Sequence, residues 1–80
     1  MGNNAFLKNA TDYFNKIMEQ KYIAKSDVLQ LKNQFKQLKK QDKKYNSFFN
    51  KVTNIANNAK GKNEPKILQE VYKEFKELQS

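Results

Sequence analysis

Cysteine, histidine, arginine and tryptophan are absent from this 80-residue chain, and glycine and proline are nearly so, at two and one. Each absence closes a class of chemistry. Without Cys there is no disulfide and no thiol nucleophile, and without Cys and His together there is no zinc-type site. Glycine is limited to Gly2 and Gly61, so no Gly-rich phosphate loop exists. A catalytic constellation would need Lys, Ser and scattered acids, and the serines fall at helix caps or the chain end. Neither an enzyme nor a bound cofactor is therefore expected. No apolar run approaches the length of a secretory signal or a membrane-spanning helix. The opening residues put Phe6 where a myristoylation site has Ser or Thr. The expected location is the cytoplasm.

What the chain has in quantity is lysine. Sixteen Lys against eight acids give a net charge of +8, and eleven Asn accompany them. Lys and Asn share AT-rich codons, so composition alone does not establish an anionic partner. Position says more. Residues 1–20 hold two Lys and two acids, residues 21–51 nine Lys and two Asp, and residues 60–80 five Lys and four Glu. The three sums are 0, +7 and +1, a field concentrated enough to attract an anionic surface.

Apolar spacing predicts one all-α domain over residues 1–80, an antiparallel four-helix bundle with helices over about 4–21, 26–41, 46–59 and 64–79. Phe6, Ala10, Tyr13, Phe14 and Ile17 form the inner side of the first helix, with Asn3 or Asn4 as its cap. Ser26 and Asp27 suit the start of the second, which carries Val28, Leu31, Phe35 and Leu38. The seam runs on through Tyr45, Phe49, Val52 and Ala56, interrupted by Asp42. One unbroken helix across it would be about 50 Å long. Too few residues would remain to cover it, so a turn is expected between Gln41 and Asn46, with Asn46 or Ser47 capping the next helix. Gly61 suits a left-handed cap after the third helix, and Pro65 the first turn of the fourth. The fourth then buries Ile67, Leu68, Val71, Tyr72, Phe75 and Leu78.

Beside the apolar seam, Lys25, Lys32, Lys36, Lys39 and Lys43 recur at helical spacing. The candidate partner-binding residues are Lys32, Lys36, Lys39, Lys40, Lys43 and Lys44. A solvated surface helix shows such a stripe too, and both readings stay open. A nucleic-acid module would use the stripe on phosphates, with salt-sensitive and largely non-specific affinity. Missing Arg argues against base reading, and the aromatics are nearly all taken by core positions, leaving no platform for bases. A protein-interaction module is the competing class, and a phage or plasmid inhibitor of a host protein would fit the same composition.

The run Phe48-Phe49-Asn50-Lys51-Val52-Thr53-Asn54-Ile55, a polar break, and then Glu64-Pro65-Lys66-Ile67-Leu68-Gln69-Glu70-Val71-Tyr72-Lys73-Glu74-Phe75-Lys76-Glu77-Leu78 resembles the last two helices of the enterocin A-type immunity proteins, which protect bacteria that make pediocin-like bacteriocins. Residues 28–44 are similar in style to the helix before them. The resemblance implies a small cytosolic antiparallel four-helix bundle that catalyses nothing. It implies as partner a membrane permease with bound bacteriocin, met by the last hairpin and the basic surface near Lys36 to Lys44.

Overall fold

A computed structural model describes residues 5–79, and it is mostly helical. Helix α1 (Ala5–Met18) leads through a bent connection to a strand of two residues, β1 (Ile23–Ala24). Helix α2 (Lys25–Gln41) follows at once, then a single 3-10 turn (Lys43–Tyr45) and helix α3 (Asn46–Asn58). A second short strand, β2 (Lys62–Asn63), precedes a 3-10 turn (Pro65–Leu68) that runs into helix α4 (Gln69–Gln79). The four helices fall where the apolar spacing puts them. The strands were not anticipated. They pair antiparallel, Ile23 with Asn63 and Ala24 with Lys62, and so tie the α1–α2 connection to the α3–α4 connection.

Rings dominate the core. Phe75 of α4 lies 5.8 Å from Phe14 of α1, 5.1 Å from Phe35 of α2, 5.8 Å from Phe48 of α3 and 6.4 Å from Tyr45, centroid to centroid. Its contacts with Phe35, Tyr45 and Phe48 are edge-on, the arrangement that ring quadrupoles favour. Around these rings Ala10, Ile17, Ile23, Val28, Leu31, Leu38, Val52, Ala56, Leu68 and Val71 are buried. The most extensive helix contact is α2 on α3, followed by α1 on α2. Helices α1 and α4 run antiparallel. The Tyr72 hydroxyl donates to Asn15 Oδ1 at 2.6 Å, and Thr11 Oγ1 lies 3.4 Å from Gln79 Oε1.

An internal recurrence lies beneath this arrangement. The inward residues of α2, Val28, Leu31, Phe35 and Leu38, match Leu68, Val71, Phe75 and Leu78 at a constant offset of forty, which is also the offset of the strand partners Ile23 and Asn63. The chain is thus two successive helix–strand–helix units, facing each other across the ladder.

Several local expectations need correction. Helix α1 stops at Met18 rather than near residue 21, because Glu19 and Gln20 turn back through N–H bonds to Lys16 and Ile17 carbonyls. Helix α2 starts one residue early, at Lys25, since the backbone N–H of Ala24 donates to Asp27 Oδ2 and leaves Ser26 inside the first turn. The α2–α3 turn falls where expected but is capped by Asp42, whose Oδ1 accepts the Lys44 N–H at 3.1 Å, not by Asn46 or Ser47. Burial of Tyr45 explains the shift, as it anchors the turn before α3 begins. Gly61 has no positive φ; α3 ends instead where Ala59 turns extended. Phe6 and Leu78 remain 45% and 40% exposed, because they sit at helix ends beyond the packed seam. The proposed caps Asn3 and Asn4 lie outside the described residues.

These positions predict a contrast. Phe75→Ala should cost about 3–5 kcal/mol, comparable with the whole stability of a domain this size, whereas Phe6→Ala should cost less than about 1 kcal/mol. Urea denaturation followed by circular dichroism distinguishes the two.

Candidate functional site

Two features built by the chain's own chemistry stand out, the lysine-rich turn joining α2 to α3 and the region around the two-stranded ladder. The turn arises because Asp42 takes an extended conformation, φ −151° and ψ 121°, just after α2. Its N–H still donates to the Leu38 carbonyl at 2.9 Å, and its own carbonyl accepts from Tyr45 at 3.1 Å. The chain therefore reverses tightly, and residues 36–44, with five Lys and one Asp, crowd at one end of the molecule.

The six candidate lysines are brought to this half of the α2–α3 hairpin, but not into equivalent states. Lys39 is half-buried, with its ammonium 4.2 Å from the centre of the Phe49 ring. Lys44 lies 3.7 Å from Asp42 Oδ2 and 5.4 Å from the Tyr45 ring centre. Lys32 is half-buried higher on α2. Lys36, Lys40 and Lys43 are exposed and have no ion-pair partner among the described residues. Like charges at this spacing cost a few tenths of a kcal/mol per close pair. Their position at the carboxyl end of α2 offsets part of that through the helix dipole. The free cations of the turn are therefore Lys36, Lys40 and Lys43. On α3, Lys51 is taken by Glu74 of α4.

At the other end of α2, Asp27 holds the first connection together. The Tyr13 hydroxyl donates to Asp27 Oδ1 at 3.2 Å, and the Ala24 N–H donates to Oδ2 at 3.3 Å. With its amide oriented to satisfy it, Gln20 adds a donor 3.2 Å from Oδ2 and 3.1 Å from the Tyr22 carbonyl. Burial, then the Asp27 charge, then its hydrogen bond push the Tyr13 hydroxyl up to about 12. Among the described residues, no cluster of three or more Asp, Glu, His or Cys could hold a metal ion.

Two aromatics, Phe6 and Tyr22, lie outside the core. Tyr22 is 47% exposed, because its neighbour Ile23 turns inward. A strand of two residues is too short to show alternation in a sequence, so the only signal for this exposure was the flanking Lys21. No helix among the described residues is long and apolar enough to cross a membrane. Compared with protein-family models, with curated proteins and with solved structures, the chain matches none of them.

The Tyr13–Asp27 pair makes a pH-dependent prediction. Unfolded tyrosine ionises near 10 and folded Tyr13 near 12, so above pH 10 the unfolded chain binds fewer protons and the folded state loses stability. Tyr13→Phe should be less stable than the native protein by about 1 kcal/mol at neutral pH. The difference should shrink between pH 10 and about 12, read from paired urea midpoints.

Proposed function

We propose that the protein is a non-enzymatic cytoplasmic binding protein, an antiparallel four-helix bundle that protects a cell from a pediocin-like bacteriocin by engaging the membrane permease that the bacteriocin occupies. The observation that carries the reading is the trio Lys36, Lys40 and Lys43, exposed at one end of α2 without an internal anion. An acidic partner surface would neutralise charge that the fold itself leaves uncompensated. The segments that resemble the immunity proteins support the same reading. They occupy α3 and the 3-10 turn with α4, which pack against each other through Phe48 and Phe75. The lysine-rich turn adjoins the start of that hairpin, so a partner contacting one reaches the other.

Phosphates offer the same lysines an alternative anion. Binding of that kind would be steeply salt-dependent and, with no Arg in the chain, poor at reading bases. A gel shift across a salt series separates the two, since complexes that vanish near physiological salt leave the protein-binding reading in place.

Expression of the chain in a bacteriocin-sensitive strain, challenged with a panel of pediocin-like peptides, tests the function. The expected result is survival against at least one peptide, lost on combined Lys36→Glu, Lys40→Glu and Lys43→Glu substitution while the circular dichroism spectrum is unchanged. Sensitivity to every peptide would overturn the proposal.

A further inference from the structure

The ladder end of the molecule, one helix length from the lysine-rich turn, carries Tyr22, an aromatic ring that the core does not use. Burial of Ile23 fixes the alternation, turning Tyr22 and Ala24 outward on the face that they share with Lys62, the cross-strand partner of Ala24. Two ammonium groups from separate parts of the chain consequently flank one ring. Lys21 Nζ lies 5.9 Å and Lys62 Nζ 5.7 Å from the Tyr22 centroid. Beside the ring is an open recess of about 380 Å³ lined by Lys21, Glu64, Pro65, Lys66 and Gln69. Glu64 pairs with Lys66 at 3.6 Å, which leaves Lys21 and Lys62 as the cations available to an outside anion.

We propose that this recess binds a nucleotide unit. On binding, the Lys21 and Lys62 ammonium groups leave the Tyr22 ring for the phosphate, the base takes their place in stacking on the ring, and the Gln69 amide supplies a donor and an acceptor to the base edge. Glu64 is placed to accept from a ribose hydroxyl or an exocyclic amine. The shared chemistry, a planar base carrying a phosphate, comes either from a free nucleotide or from an unpaired strand. An anionic membrane also attracts lysine, but Tyr22 lies between two ammonium groups beside a recess lined by Lys21, Glu64, Lys66 and Gln69 instead of projecting as an apolar wedge. The site stands independently of the lysine-rich turn and of the function proposed for it.

Fluorescence anisotropy with a short labelled single strand, its duplex, and vesicles containing anionic lipid, together with amide NMR during titration of a nucleoside monophosphate, tests the site. The single strand should bind more tightly than the duplex, whose base faces are already stacked. Tyr22→Ala should weaken the single strand by about tenfold or more, while Tyr22→Phe retains binding. Lys21→Gln with Lys62→Gln removes one phosphate contact and should reduce the salt slope by about 0.7. Monophosphate shifts at Tyr22 and Gln69, without higher affinity for the strand, would assign the site to the free nucleotide. The proposal is overturned if Tyr22→Ala binds like the native protein, if duplex and single strand bind equally and the monophosphate shifts neither Tyr22 nor Gln69, or if only vesicles bind. The substituted side chains lie on the surface, and unchanged circular dichroism verifies that each variant folds.

Discussion

The Phe75 ring is the contact on which the rest of the molecule depends. It meets Phe14, Phe35, Tyr45 and Phe48, so one side chain of α4 touches a ring from each of the other helices and from the α2–α3 turn. In a small chain without cysteine, each such ring supplies a large share of the core that one residue can bury. They also set geometry, because edge-on packing fixes how each helix is rotated and not only how near it lies. Rotation decides which lysines face water. Once Phe35 points at Phe75, Lys36 and Lys40 must point outward, and Tyr45 draws Lys43 and Lys44 to the surface of the turn.

The ladder performs the complementary task at the opposite end of α2. Pairing Ile23 with Asn63 brings together two connections that are forty residues apart, and Asp27 braces the first of them through Tyr13 and Ala24. Core and ladder together produce two basic ends of different character. The turn offers bare ammonium groups suited to a broad anionic surface. The ladder offers an aromatic ring, an amide and two cations around a recess, a combination that favours a ligand with both a planar part and a charge.

Much of this was legible in the amino-acid sequence because it depends on helical periodicity. The spacing of Val28, Leu31, Phe35 and Leu38 located α2, and the crowding of lysines around Asp42 located the reversal. The candidate lysines lie along α2 and the turn that follows it. What the sequence could not separate was their states, since Lys39 is distinguished from Lys36 and Lys40 only by a ring on another helix, Phe49. The ladder stayed hidden because two residues cannot display an alternation, and Tyr22 with it. The forty-residue recurrence was present throughout in Val28 and Leu68, Leu31 and Val71, Phe35 and Phe75. Conservative exchanges at the paired positions masked it. Helix ends misled for a simpler reason. Phe6 and Leu78 keep the apolar period, yet no neighbouring helix extends far enough to cover them.

The central claim is that the free lysines of the α2–α3 turn serve contact and not the fold, which rests on the aromatic core. Combined Lys36→Gln, Lys40→Gln and Lys43→Gln substitution, with stability read from urea denaturation at low and high salt, tests this most directly. Relief of like-charge repulsion and loss of the helix-dipole contribution nearly cancel, so the variant should match the native protein within about 0.5 kcal/mol at both salt concentrations. A loss of more than about 1.5 kcal/mol, well beyond ordinary surface substitutions, would mean that these lysines hold the structure together and would contradict the account.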